Sequence, residues 1–241
     1  MGLGITVGIL ADLMEHDPDG CADIQRDMAA INRALENRFL PLHTEPETCA
    51  VWWADGYGYS GLHALRAVAA LHWMGQPIPR NALLNGDDMS AEERLFDAYM
   101  VHLCGPAKVG RIGQLLRRAP KATPCPTFAH LVAHSDAEGY YVPVDFPVPI
   151  TPHALDGKGD HIWPLGSVPR LKAELDTLAD LLDVPDGLEA EGPELTALIE
   201  QPQVHEDCHL WRAQPIATHS LLILREACAR SLATGAAISF G

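Results

Sequence analysis

The sequence predicts an α+β fold in which a small mixed sheet packs against several helices. Strand-like segments stand at both ends of the chain, GITVGILADL near the start and AAISFG at the end. Amphipathic segments of helical length fill much of the rest without alternating cleanly with strands, which argues against a doubly wound sheet. Because each terminal strand alone would leave its backbone groups unpaired, we expect both in one sheet and residues 1–241 in a single domain.

The first half of the chain predicts a strand, three helices and a short second strand. GITVGILADL is apolar, β-branched and bounded by glycine, as buried strands are. CADIQRDMAAINRALENRFL has apolar residues every three or four positions, which indicates a helix, and CAVWWA is a short strand. YSGLHALRAVAALHWMG is a helix that Ser60 would cap and Gly75 would end. SAEERLFDAYMVHLC is a helix that opens with a capping box of Ser90 and Glu93.

The second half predicts four helices and two strands. FAHLVAH is a short helix with Thr127 as its cap, and EGYYVPVDFPVPI is a strand in which Pro143 indicates an edge position. SVPRLKAELDTLADLLDV is a helix with a leucine stripe, which Ser167 would cap. PELTALIEQP and LLILREACARSLA are further helices, and AAISFG closes the chain as a strand.

The charge of the chain restricts its partners. Lys and Arg number 17 against 32 Asp and Glu, so the net charge is −15. A surface this acidic repels nucleic acid and anionic membranes and suits a basic protein partner. No apolar run approaches the ~20 residues that span a bilayer, and the start lacks the basic region of a signal peptide. With six scattered cysteines and no C-x-x-C pair, we expect a cytoplasmic protein with reduced thiols.

Two short motifs resemble catalytic or cofactor signatures but lack their context. VHEDCHLW contains H-E-x-x-H, with His205 and His209 at the spacing of zinc ligands in helical peptidases. Prolines flank the string and Asp207 lies where such helices are usually apolar, so we favour a surface cluster. GYGYSG matches G-x-G-x-x-G, but no apolar strand ending in an acidic residue follows its helix. An aromatic turn before a helix is the simpler interpretation.

The block FAHLVAHSDAEGYYVPVDF concentrates polar side chains at a junction between helix and strand, where they can converge on one ligand. The candidate binding residues are His134, Ser135, Asp136, Glu138, Tyr140 and Asp145. The alternative is that these groups satisfy helix-end and turn backbone atoms and fill a half-buried polar core. No cofactor is predicted, with zinc as the alternative. The ligands of such a metal site would come from His130, His134, Asp136, His205 and His209.

Four blocks, in order MGLGITVGILADL, HSDAEGYYVPVDF, GSVPRLKAEL and LREACARSLATGAAISFG, resemble an uncharacterised family of bacterial proteins. The resemblance covers most of the chain. HEDCH is not among the blocks of that family, which further disfavours a zinc peptidase. The family has no assigned activity, so the resemblance implies no functional residue.

Two functions of different classes are therefore predicted. The favoured one is a non-enzymatic inhibitor or immunity-like protein whose acidic surface neutralises a basic protein partner. It requires a carboxylate patch around an exposed aromatic anchor. The candidate anchors are Trp52, Trp53, Trp163 and Trp211. The alternative is a metal-dependent hydrolase, which requires at least three of the candidate ligands in one pocket.

Overall fold

A computed structural model of the chain describes residues 3–56, 58–83, 89–104, 127–135, 138–150, 164–201 and 208–241. Within these ranges it contains five strands and nine helices. The strands are β1 (Gly4–Val7), β2 (Trp52–Asp55), β3 (Gly139–Val142), β4 (Gly166–Ser167) and β5 (Ile238–Phe240). The helices are α1 (Ile9–His16), α2 (Cys21–Glu36), α3 (Gly58–Trp73), α4 (Met89–Cys104), α5 (Ala129–Val132), α6 (Val168–Leu182), α7 (Pro193–Glu200), α8 (Leu210–Ala213) and α9 (Pro215–Thr234).

The five described strands form one mixed sheet in the order β2-β1-β5-β3-β4. Strand β1 is antiparallel to both β2 and β5, with Ile5 opposite Phe240. Strand β3 is antiparallel to β5 and parallel to β4. The terminal strands are thus neighbours in one mixed sheet, and the predicted fold class is confirmed.

Helices cover both faces of this sheet. Ile5, Val7 and Ile238 point into a cluster of buried residues that α3, α6 and α9 complete. Val142 and Ala237 belong to a second cluster, formed with α1 and α2 on the opposite face. This follows from the alternation of side chains along extended backbone, which places Val142 of β3 and Ala237, just before β5, in a different layer from Tyr141 and Ile238.

The first predicted strand is shorter than expected. Strand β1 ends at Val7 because Gly8, at φ 86°, turns the chain, and the apolar residues that follow begin α1. A run of apolar residues cannot by itself distinguish a strand from a strand followed by a buried helix. Gly75, at φ 66°, follows the last turn of α3 as predicted.

The predicted helix caps are mostly wrong. Helix α3 begins at Gly58 and α4 at Met89, so Ser60 and Ser90 lie inside the helices that they were expected to cap. Phe128, rather than Thr127, is the residue before α5. Ser167 does precede α6, but its hydroxyl makes no capping hydrogen bond. In these cases a polar residue near a helix start was a weaker signal than the tertiary contacts that position the helix.

Pro143 does not mark an edge strand. Strand β3 lies between β5 and β4, and Pro143 follows its last residue, where no ladder N–H is required. None of the described helices has the length and apolar character to cross a lipid bilayer.

Candidate functional site

The predicted polar block contains a buried histidine at its centre. The His134 ring stacks on Tyr141 with 3.9 Å between centroids. Its Nδ1 lies 2.9 Å from the carbonyl oxygen of Ser135, and its Nε2 lies 3.2 Å from that of Tyr140. Burial, helped by Arg66, lowers the pKa of His134 to about 4, although both carbonyls favour the charged form. The ring is therefore neutral near pH 7 and donates to only one of the two carbonyls.

A carboxylate from another helix caps the start of α5. Glu174 of α6 accepts hydrogen bonds from the backbone N–H of His130 at 3.0 Å and of Leu131 at 2.8 Å. These N–H groups are two of the donors that a helix start leaves without an intrahelical acceptor. Glu174 therefore takes the place of the cap expected from Thr127. Burial raises the pKa of Glu174 to about 8, against the effect of these hydrogen bonds.

The other end of α5 is held by a buried arginine. Arg66 of α3 donates from Nε to the carbonyl of Leu131 at 2.9 Å and from Nη2 to that of His134 at 2.7 Å. Its Nη1 lies 3.6 Å from Glu92, whose carboxylate also contacts His63. The planar guanidinium suits this role because its N–H groups diverge toward two acceptors.

His130 joins the same block to the start of α6. Its Nδ1 accepts a hydrogen bond from the backbone N–H of Ser167 at 3.0 Å. Burial lowers the pKa of His130 to about 4, although the backbone of Pro147 and Phe146 opposes this shift. His130 thus acts as a neutral acceptor inside the fold near pH 7.

The remaining predicted binding residues have separate partners. Tyr140 donates its hydroxyl to Asp27 at 2.7 Å, and Asp145 accepts two hydrogen bonds from Arg170 at 2.6 and 3.1 Å. Ser135 Oγ accepts from the N–H of Glu138 at 3.3 Å. Asp136 lies outside the described residues. That these side chains form a binding site stays a prediction, since the contacts described here are internal to the fold.

The alternative metal site finds no support in the described part of the chain. No group of three or more His, Cys, Asp or Glu side chains is arranged there to hold a metal ion. His209 contacts Asp183 at the surface and precedes the first turn of α8, so it does not lie within a helix as a zinc peptidase requires. His205 and Asp136 are outside the described residues.

A different feature of the surface is an acidic segment, which we define as residues 180–200. It comprises the end of α6, the turn after it and α7. Its seven carboxylates are all exposed, and the first four recur every third residue. They are Asp180, Asp183, Asp186, Glu189, Glu191, Glu194 and Glu200. The sequence has no Lys or Arg between positions 173 and 211.

Buried leucines and backbone hydrogen bonds fix the acidic segment. Leu182 of α6 and Leu195 of α7 are fully buried. Between the helices, the N–H of Val184 donates to Ala179 at 3.1 Å and that of Leu188 to Pro185 at 3.3 Å. The carboxylates are therefore displayed from a backbone that its own core contacts hold in place.

Most of these carboxylates keep their charge uncompensated. Asp183 pairs with His209 and Glu194 with Arg212. Of the other five, Glu191 interacts electrostatically with His219, and the ion pairs among the described residues include none of Asp180, Asp186, Glu189 and Glu200. The prediction missed this segment, although the three-residue recurrence of Asp and Glu and the missing basic residues were visible in the sequence.

The candidate aromatic anchors differ in exposure. Trp211 is buried and Trp52 is half-buried, whereas Trp53 is 62% exposed on β2. Trp163 lies outside the described residues. Trp53 alone of the three described candidates is available to a partner.

Comparison with known proteins gives one finding. The sequence model of a family described as "Putative DNA-mimic protein" matches residues 1–240. No curated protein and no solved structure matches the chain. The predicted resemblance to a protein family is confirmed.

The same finding overturns the predicted function. The family description names DNA mimicry, so neither the inhibitor or immunity-like protein nor the metal-dependent hydrolase with His130, His134 and Asp136 or with His205 and His209 is retained. Net charge indicated a basic partner. Charge alone does not show that the acidic surface resembles DNA, the ligand that such a partner would bind.

Proposed function

Because the chain belongs to the family described as "Putative DNA-mimic protein", we propose that it binds the DNA-binding site of a basic protein and competes there with DNA. The acidic segment carries this proposal. A DNA-binding site recognises the phosphate backbone mainly through Lys and Arg, whatever the base sequence. A protein surface with closely spaced carboxylates and few compensating cations presents the same charge to that site.

The spacing of the carboxylates supports the proposal. Duplex DNA carries one charge per ~3.4 Å of axis on each strand. In a helix, residues three apart rise by ~4.5 Å along the axis, so a carboxylate at every third residue approaches that linear density. Asp180 lies in the last turn of α6 and Asp183 directly follows that helix, and Asp186 and Glu189 continue the three-residue recurrence through the turn.

Preorganisation supports the proposal as well. Like charges held close together repel each other, so a flexible acidic chain would spread apart. Here the buried side chains of α6 and α7 hold the segment in one conformation before a partner arrives. Binding then costs little ordering entropy. Leu195, in the first turn of α7, is fully buried and anchors the second half of the segment.

The direct test is competition with DNA. The tagged chain is used to capture proteins from a bacterial cell extract, and bound proteins are released with duplex DNA. Each released protein is purified and bound to a fluorescent duplex, and the chain is titrated in while anisotropy is recorded. We expect the chain to displace the duplex, without a ternary complex.

Two triple variants with equal charge changes locate the surface. The first, Asp180→Asn with Asp186→Asn and Glu189→Gln, neutralises unpaired carboxylates of the acidic segment. The second neutralises three exposed carboxylates at the corner between α1 and α2. Its substitutions are Glu15→Gln, Asp17→Asn and Asp19→Asn.

An exposed charge contributes ~0.2–1 kcal/mol, so the first triple variant should compete roughly 3- to 150-fold more weakly. The second should compete nearly as well as the wild type. Equal losses in both variants would mean that net charge alone drives binding. A released protein that binds the chain and DNA together would contradict mimicry.

A further inference from the structure

The sheet has one buried edge and one exposed edge. At the buried edge, both residues of β4 are inaccessible, and a bridge between Ile150 and Leu165 continues beside it. At the other edge lies β2, which pairs only with β1 among the described strands. Trp53 and Asp55 of β2 are exposed, as is Val51 just before it.

The ladder shows which backbone groups of β2 point outward. The N–H of Gly56 donates to the carbonyl of Leu3 at 2.8 Å, in the same register as the β1–β2 pairs. Hydrogen-bonded pairs alternate along an antiparallel ladder, so Ala54 also bonds toward β1. Trp53 and Asp55 therefore direct their N–H and C=O groups away from β1, toward the open edge.

Strand β2 lacks most features that protect an edge. Natural edge strands carry Lys, Pro or a bulge that prevents another strand from pairing. The sequence WWAD contains neither Lys nor Pro, its register with β1 is unbroken, and tryptophan favours extended backbone. Its four-residue length limits the pairing to a short segment, with the exposed Trp53 ring beside it.

The charge around β2 indicates which kind of segment would pair with its open edge. Residues 39–65, which include β2, contain no Lys or Arg and three carboxylates, of which Asp55 is exposed on the edge strand itself. A second copy would bring its own charge of −15 to the same edge and be repelled. A segment with Arg or Lys would be attracted, and a guanidinium can stack on an indole ring such as that of Trp53.

We propose that the β2 edge, Trp52–Asp55, binds an extended basic segment of the partner protein as an added strand. The partner would pair with the outward N–H and C=O groups of Trp53 and Asp55 and place a cation over the Trp53 ring. The basic character of this partner rests on the proposed function, but the edge and its backbone groups do not.

The probe is a synthetic peptide of about eight residues that alternates Arg and Val, with blocked termini. A second peptide of the same sequence is N-methylated at every residue, which retains its charge but removes its N–H donors. Binding of both is measured by calorimetry. We expect the methylated peptide to bind about tenfold more weakly or not at all, since strand pairing needs N–H groups.

Two substitutions at one position test the protein side. Asp55→Pro removes an outward N–H without touching the bonds to β1, and should weaken peptide binding about tenfold more than Asp55→Asn, which removes only the charge. Circular dichroism checks that both variants fold. Equal binding of the two peptides, no binding of either, or equal effects of the two substitutions would overturn the proposal.

The experiment also separates this proposal from the proposed function. The triple variant of the acidic segment should bind the Arg-Val peptide within about threefold of the wild type, because its substitutions leave the β2 edge intact. If the chain binds the peptide but does not displace DNA, the proposed DNA mimicry is refuted and the proposal for the β2 edge is not. If analytical sedimentation detects a dimer of the wild type that is absent in Asp55→Pro, the β2 edge binds a second copy of the chain and the proposed basic segment is wrong.

Discussion

Acid should destabilise the protein through two buried histidines. Burial lowers the pKa of both His130 and His134 from 6.5 to about 4. Both therefore remain neutral in the folded protein at a pH where they are already protonated in the unfolded chain. The stability that they contribute is complete above pH 6.5 and is lost as the pH falls toward 4.

The expected loss is large compared with the stability of a typical domain. Lowering one histidine pKa from 6.5 to about 4 corresponds to about 3 kcal/mol, so the pair accounts for about 6 kcal/mol. Whole domains are stable by roughly 5–15 kcal/mol. Glu174 acts in the opposite direction, because its pKa of about 8 keeps it protonated in the folded protein where the unfolded chain is ionised, which offsets about 3 kcal/mol between pH 6.5 and 4.5. The net loss between pH 6.5 and 4 should therefore be about 3 kcal/mol.

The assay is urea unfolding followed by circular dichroism at half-unit steps from pH 8 to pH 4. In His134→Gln the free energy of unfolding should change with pH much less steeply than in the wild type between pH 6.5 and 4.5, because the effects of His130 and Glu174 then oppose each other. The control is His72→Gln, which removes an exposed histidine of α3 and against which the slope of His134→Gln is compared.

One result would refute this reasoning. Both nitrogens of His134 lie near carbonyl oxygens, and the charged ring could donate to both. If NMR shows His134 titrating at or above pH 6.5, these hydrogen bonds outweigh burial. The slope below pH 6.5 would then be the same in His134→Gln and the wild type.

Two further substitutions have expected outcomes in thermal unfolding. Arg66→Lys should lower the free energy of unfolding by ~1.5–3 kcal/mol, because one ammonium cannot reach the carbonyls of both Leu131 and His134. The control Arg94→Lys, at an exposed position, should have little effect. Equal changes in melting temperature for the two variants would contradict this role of Arg66. Phe39→Gly should raise the free energy of unfolding by ~0.5 kcal/mol, or the melting temperature by ~1–2 °C. Phe39 is 99% exposed and has a φ of 57°, so glycine relieves backbone strain at some entropic cost and loses no packing. Leu42→Gly is the control, and a lower melting temperature for Phe39→Gly would contradict this reasoning.

The sequence predicted the elements better than their ends. The leucine stripe of α6 and the terminal strands follow from periodicity, which depends on residues close together in the chain. The start of α5 could not be predicted this way. Its acceptor is Glu174, more than forty residues away, and no local signal connects the two.

The polar block and the acidic segment show why a dense group of polar residues is an ambiguous signal. Around His134 such residues were expected to bind a ligand, but their described partners include Asp27, Arg170 and backbone carbonyls of the same fold. Apolar residues precede and follow that block, so it is pulled inward and its polar groups must pair. In the acidic segment Leu182 and Leu195 are buried, whereas all seven carboxylates are exposed.

That difference in patterning suggests a way to separate the two cases from sequence. Carboxylates that recur every third residue, with no basic residue for a long distance and a leucine stripe to hold the backbone, cannot be satisfied locally and must face solvent. Asp186 and Glu189 fit this description, whereas Glu174 follows Lys172 on the same helix and lies against α5. Uncompensated, exposed and fixed charge is the property that a protein needs in order to replace DNA in a basic site.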